Sequence, residues 1–109
     1  MALVAETVAR EIIRALRAPL ARIKREDADL ARQLRRSASS VALNISEGER
    51  REGRDARYHF LVAAGSAKET QSNLLSAEAW GYVTGGDIAN SLRHIDRELG
   101  LLWGLTHRG

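Results

Sequence analysis

The sequence predicts an all-helical fold, an up-down-up-down antiparallel four-helix bundle, and three observations carry that expectation. Apolar residues recur at three- and four-residue intervals in four separate segments. Charged or glycine-bearing breaks divide those segments. Val, Ile, Thr and Tyr nowhere alternate with polar residues as a half-buried strand requires, and aromatic residues make up only 5% of the chain, too few for a sheet-rich core. The 109 residues are expected to form one domain, residues 1–109, burying roughly two-thirds of its unfolded surface around a single core.

The first helix is expected from Leu3 to about Lys24. Ala5, Ala9, Ile12, Leu16 and Ile23 form its apolar stripe, which Val4, Val8 and Ile13 widen, while Glu6, Arg10, Arg14 and Arg17 lie opposite. Pro19 is expected to end or kink it near Ala18, because the ring removes a hydrogen bond to the preceding turn. Asp27 is the candidate N-cap of a second helix, with Leu30, Leu34, Val41 and Ile45 as core positions and Gly48 as its stop. Ser37, Ser39, Ser40 and Asn44 are unusually polar for that helix, so their small volume points to close approach or to polar contacts inside the bundle.

A third helix is expected from about Ala56 to Trp80, its bulk carried by Leu61, Leu74 and Leu75 and its end set by Gly81 at the C-prime position. The run Ala63-Ala64-Gly65-Ser66-Ala67 implies close packing, since a mid-helix glycine costs about 1 kcal/mol relative to alanine. Thr84-Gly85-Gly86-Asp87 has the form of a capping box and opens a fourth helix. There Ile88, Leu92, Ile95, Leu99, Leu102 and Thr106 step by alternate fours and threes, as a bundle seam does. Short connections make successive helices antiparallel.

No cysteine is present, which removes disulfides, thiolate metal sites and cysteine nucleophiles and is compatible with a reducing compartment. The start, Met1 to Arg10, lacks the basic flank and apolar length of a secretory signal, and no segment has the run of about eighteen apolar residues a membrane span needs. A cytoplasmic location is therefore expected. The formal charge is +3 and it is unevenly placed: residues 1–57 hold 13 Lys or Arg against 9 Asp or Glu, whereas residues 58–109 hold 4 against 5. An acidic partner suits the first half of the chain. Arginine outnumbers lysine 15 to 2, and a guanidinium pairs with phosphate or carboxylate in a two-pronged way lysine cannot match.

The segment Gln33-Leu34-Arg35-Arg36-Ser37-Ala38-Ser39-Ser40-Val41-Ala42-Leu43-Asn44-Ile45-Ser46-Glu47-Gly48 resembles the signature of the four-helix bundle proteins encoded in 23S rRNA intervening sequences. A basic linker follows, then Ala63 to Glu69 with Leu74, then Trp80-Gly81-Tyr82-Val83 where that family has Leu-Gly-Tyr-Ile. The likeness runs from about residue 8 to residue 106. Ala42 departs from it, standing where many members have proline, and the linker after Gly48 lacks the usual spelling. The resemblance implies a pentameric ring of bundles. It also implies kinship with the accessory variability determinant of diversity-generating retroelements, and hence nucleic acid and a reverse transcriptase as partners.

Two basic sets are candidate nucleic-acid contacts, Arg50, Arg51, Arg54 and Arg57 in and after the second turn, and Arg32 and Arg36, with Arg35, on the second helix, while Arg10, Arg14, Arg17, Arg22, Lys24 and Arg25 are spread along the first helix. A ring would multiply a weak patch into a strong, salt-sensitive one. The bland alternative is a solvated face laced by Glu47, Glu49, Glu52 and Asp55. Glu69, a carboxylate among small residues, is expected to form a structural ion pair with Arg35 or Arg36, on the premise of a hairpin centred near residues 50–53. Trp80 is expected to lid the core and Trp103 to contact a neighbouring subunit. His59, His94 and His107 are scattered, and only His94 and Glu98 share a helix face, too few ligands for a metal. The serines have no base at fixed spacing. No cofactor and no catalysis are expected. The leading reading is a non-enzymatic oligomeric adaptor that binds structured RNA, a nucleic-acid enzyme such as a reverse transcriptase, or both; the alternative is a scaffold that binds only protein.

Overall fold

A computed structural model of the chain describes residues 2–107, so the expected domain bounds at 1 and 109 lie outside the described residues. Four helices account for nearly all of it: α1 (Ala2–Glu26), α2 (Ala28–Glu49), α3 (Gly53–Ala79) and α4 (Gly85–Thr106). Among the described residues there is no strand. Each helix packs on its sequence neighbours and α1 closes the ring against α4, giving a body of 43 × 22 × 19 Å. Contacts across two of these interfaces run in descending order, as antiparallel helices require: Ser37 meets Thr70 and Ser40 meets Ser66 between α2 and α3, while Glu11 meets His94 and Arg22 meets Asp87 between α1 and α4.

Local sequence signals set the connections. Asp27 alone separates α1 from α2, and its Oδ1 accepts the Leu30 N–H at 3.0 Å, so the expected N-cap forms in a turn shorter than the charged stretch suggested. The Tyr82 hydroxyl donates to the other Asp27 oxygen at 3.3 Å, tying together the two turns at that end of the bundle. At the end of α3, Gly81 adopts φ +83°. The Gly81 N–H bonds the Glu78 carbonyl and the Tyr82 N–H bonds the Ala77 carbonyl, the paired bonds of a Schellman end. Thr84 and Asp87 form both halves of the expected capping box.

Pro19 neither ends nor breaks α1, which continues to Glu26 with the ring buried in the bundle. The reason lies on α4. A proline at position 19 deprives the Ala15 carbonyl of its usual intrahelical donor, and the buried Ser91 hydroxyl donates to that same carbonyl at 3.1 Å. Ser91→Ala is therefore expected to destabilise the parent by about 1–2 kcal/mol, the range for stranding a buried acceptor. It should do less in a Pro19→Ala background, where an N–H returns. Urea denaturation of the four chains of this double-mutant cycle gives the coupling, and a coupling of zero would disprove the compensation.

The core is made by Val8, Ile12 and Ile23 of α1, Leu34, Val41 and Ile45 of α2, Phe60 and Leu74 of α3, and Ile88, Ile95 and Leu102 of α4, with small residues between them. Several expectations need correcting. On α4 the inward positions are Ser91 and Glu98, whereas Leu92 and Leu99 are half-buried one residue away. On α3 Phe60 and Leu74 supply the bulk, while Leu61 and Leu75 face outward. Trp80 is 71% exposed and stacks on Tyr82 instead of lidding the core. Gly48 does not stop α2, which runs on to Glu49; its bare Cα lies against the Phe60 ring. Gly65 is exposed and a side chain there would meet nothing, so it is not a packing glycine within this chain.

The small polar residues do form an internal seam between α2 and α3. The Ser37 and Thr70 hydroxyls are 2.8 Å apart, as are those of Ser40 and Ser66, and Asn44 bridges the Ser40 carbonyl and His59 Nδ1. Ser39 is exposed and takes no part. This seam corrects the expected Glu69 ion pair. It pairs the helices about one turn further along than a hairpin centred at residues 50–53 would, and the inward stripe of α3 is Ala63, Ser66, Ala67, Thr70 and Leu74. Glu69 sits beside that stripe, facing solvent. Among the described residues neither Arg35 nor Arg36, nor any other cation, lies at salt-bridge distance from it.

Candidate binding face on helices one and two

The second turn and the start of α3 place Arg50, Arg51 and Arg54 at the surface, as expected, but neighbouring carboxylates neutralise most of their charge. Arg50 pairs with Glu47 at 2.7 Å, and Arg51 pairs with Asp55 at 2.8 Å and Glu47 at 3.4 Å. The Arg51 hydrogen bond holds the Asp55 carboxyl below its ordinary range, and Asp55 in turn raises Arg51. Arg57 is occupied structurally: its Nε donates to the Thr106 carbonyl at 2.8 Å and so caps the end of α4. Of these four, only Arg54 has no partner among the described residues.

At the same end, Glu6 and Glu49 behave as one carboxyl pair. Glu6 is held low by the hydrogen bond from Glu49, by the Ser46 hydroxyl at 2.9 Å and by Arg10, while Glu49 is raised by that shared bond, by burial and by repulsion from Glu6. With the Ser46–Glu6 bond, this pair fastens α1 to α2.

The other basic set behaves differently. Arg32 is paired with Asp29 on its own helix, but Arg17, Lys24, Arg35 and Arg36 have no carboxylate at salt-bridge distance among the described residues. Three of these, with Arg32, border two adjoining depressions of about 200 Å³ each on the outer face of α1 and α2. Leu20 and Arg35 line both, so the depressions form one groove. Its bed is apolar: Ile13, Leu16 and Leu20 from α1, Leu34 and Ala38 from α2, with Ala28 and Ala31 at the far end.

The sequence makes this groove in a simple way. Positions 28, 31, 35 and 38 form the edge of α2 toward α1, and three of them are alanine, so this edge is low. Positions 13, 17, 20 and 24 form the facing edge of α1 and are all large. A low edge beside a high one leaves a trough where ridges would otherwise interdigitate. Of the residues expected to bind, Arg32 reaches this groove and Arg36 lies exposed beside it on α2; the turn arginines belong to another part of the bundle. Sequence reasoning had Arg17 and Lys24 only as cations spread along the first helix and missed Leu20 and the groove that gathers them, although the alanine spacing on α2 was the available signal. No carboxylate or imidazole lines either depression. Among the described residues no group of three His, Cys, Asp or Glu could hold a metal, and no helix is long and apolar enough to cross a membrane.

The sequence profile of the 23S rRNA-intervening sequence protein matches residues 4–104. The chain belongs to that family. The fold of this family member is also similar to a crystal structure from Bacteroides thetaiotaomicron VPI-5482, described as a protein with unknown function from the S23 ribosomal protein family. The two share a TM-score of 0.84 at 20% identity, over 95% of this chain and 99% of that one, a likeness of fold alone. Comparison with curated proteins finds no match. The resemblance carried by Gln33 to Gly48 thus holds at the level of the family. In the fold, that signature spans the α2 edge of the groove (Arg35, Ala38) together with the polar seam against α3 (Ser37, Ser40, Asn44).

Proposed function

We propose that this family member is a non-catalytic adaptor that holds a protein partner on the α1–α2 face and works as a ring-type homo-oligomer, with a nucleic-acid enzyme such as a reverse transcriptase as the kind of partner the family kinship suggests. The observation that carries the reading is the groove itself, an apolar bed with unpaired cations on both banks. Bare phosphates have no use for the bed, whereas a protein surface can cover it and answer the charges. The non-catalytic part is supported by the lining, which offers one hydroxyl, Ser39, and no carboxylate or imidazole to activate it. The oligomer is supported by Tyr58, Leu61 and Trp103, all exposed, and by Gly65 and Gly100, whose open flanks leave room for another surface.

A second reading, binding of structured RNA, is favoured by the exposed arginines that extend this face, Arg14, Arg25 and Arg36, which are unpaired among the described residues. Two charge-reversal variants separate the possibilities: Arg17→Glu with Lys24→Glu and Arg35→Glu, and Arg50→Glu with Arg51→Glu and Arg54→Glu. Affinity capture from the native host, followed by mass spectrometry, is expected to yield a protein held by the parent and the turn variant but lost from the groove variant. Identical proteins on all three would remove the α1–α2 face as the working surface. RNA binding that weakens with salt and is lost only from the groove variant, without such a protein, would transfer the function to the second reading. Sedimentation of the parent tests the ring, and a strict monomer at micromolar concentration would end that part of the proposal.

A further inference from the structure

We infer that the occupant of the α1–α2 groove is an amphipathic helix of about three turns, with one apolar stripe and acidic residues on both of its flanks; this rests on the protein-binding reading above. The dimensions come from the bed. Ile13 to Lys24 along α1 spans eleven helical steps, about 16 Å at 1.5 Å per residue, which matches anchors at i, i+4, i+7 and i+11 on a docked helix.

The chemistry comes from the cross-section. Ile13, Leu16 and Leu20 meet Leu34 and Ala38 along the bed, while Arg17 and Lys24 stand on the α1 bank and Arg32 and Arg35 on the α2 bank. A ligand that fits must be apolar along its middle and negative along both sides. An extended strand is excluded, because two helix edges offer no backbone donors or acceptors and its own N–H and C=O groups would be stranded over an apolar bed. A helix satisfies its own backbone and presents the required stripe and flanks. A second copy docking face to face would set Arg17 and Arg35 against the same residues of its twin, a like-charge contact, and a ring contact, which joins unlike faces, would need a second face that is apolar with acidic flanks.

The test uses the full chain and fluorescein-labelled 18-residue peptides read by fluorescence anisotropy. The acidic peptide carries Leu at i, i+4, i+7 and i+11 with Glu on both flanks; the controls are a scramble of the same composition, polyglutamate of equal charge, and a version with Lys flanks. The acidic helix is expected to bind at least roughly tenfold tighter than the scramble and polyglutamate, and to lose at least that factor on the Arg17→Glu, Arg35→Glu variant. The Lys-flanked peptide should gain on that variant, which also controls for misfolding together with an unchanged circular dichroism spectrum. Equal binding of polyglutamate and the acidic helix would overturn the inference while leaving a cationic docking face. The same holds if no peptide binds although a captured host protein still depends on Arg17 and Arg35. Self-association of the parent that disappears in the variant would assign the groove to a second copy and overturn the inference as well.

Discussion

Replacing Glu98 by leucine is expected to stabilise the bundle, and by an amount that grows as pH rises from about 5 to about 8. Glu98 lies on the inward face of α4 with no exposed surface, and neither carboxyl oxygen has a hydrogen-bond partner. Burial pushes its pKa up to about 8; the Arg97 charge opposes this and the Glu11 carboxylate adds to it. The sign follows from proton linkage. In the unfolded chain the carboxyl ionises near 4.5, so between there and about 8 the unfolded state binds fewer protons than the native one, and stability falls with pH at up to about 1.4 kcal/mol per unit. Below that window both states are protonated and the group adds no pH dependence. Above it both are ionised and the full penalty stays.

Glu98→Leu should already gain about 1–3 kcal/mol at pH 5 by removing an unsatisfied polar group, and several kcal/mol at pH 9. Glu98→Gln separates the two contributions, because it keeps an unpartnered polar group and removes the titration: it should resemble the parent at pH 5 and exceed it at pH 9. Urea denaturation of the three chains at pH 5, 7 and 9 measures both effects. A parent whose stability relative to Glu98→Leu is constant across that range would show that the carboxyl is solvated or paired.

This residue also shows where the fold was legible in the sequence and where it was not. Helix ends were legible because they depend on a few neighbouring atoms: the Asp27 cap, the positive φ at Gly81 and the Thr84–Asp87 box are local chemistry. The α1 stripe was legible because apolarity and burial coincide there. On α4 they diverge by one residue, about 100° of helix rotation. Leu99 outranks Glu98 on any transfer scale, yet Glu98 points inward, so hydrophobicity chose the wrong neighbour twice, at Leu92 and at Leu99. No propensity argument places an unpartnered carboxylate in a core.

Register between helices was the least legible feature, since the position of a turn does not fix it. The α2–α3 turn, Arg50 to Glu52, lies within the expected range, yet the pairs Ser37–Thr70 and Ser40–Ser66 set the helices about one turn further along, and Glu69 falls beside the inward stripe, facing solvent. For the binding face, the sequence showed which half of the chain is basic but not which cations are free. Glu47 and Asp55 lie three and four residues from the turn arginines and take up their charge through ordinary helical pairs. The α1 and α2 cations left unpaired became neighbours only through packing.

Gly48→Leu is expected to destabilise the bundle by about 3 kcal/mol, at the upper end of what overpacking a well-filled core costs. A Cβ at this position would stand 2.5 Å from Phe60 Cε1, 2.8 Å from Cδ1 and 2.9 Å from Cζ. Three ring atoms therefore block it, and the ring, itself only 7% exposed, has to leave its site before any side chain can enter. Gly48→Ala introduces the same clash with less bulk, and the roughly 1 kcal/mol by which alanine favours a helix interior over glycine offsets part of it. The contrast is with Gly65, also inside a helix but with nothing within 4 Å of an added Cβ, where alanine should stabilise by about 0.5–1 kcal/mol. Chemically identical substitutions thus take opposite signs according to one neighbour. Phe60→Leu in the Gly48→Ala background removes the obstructing ring edge, so the double variant should lose less stability than the two single variants together, by a coupling of about 0.5–3 kcal/mol. Thermal and urea denaturation of this set decides the matter. If Gly48→Ala raised stability as Gly65→Ala does, with no coupling to Phe60, the ring would have to move aside freely and the close approach of α2 and α3 at this end would not hold the bundle together.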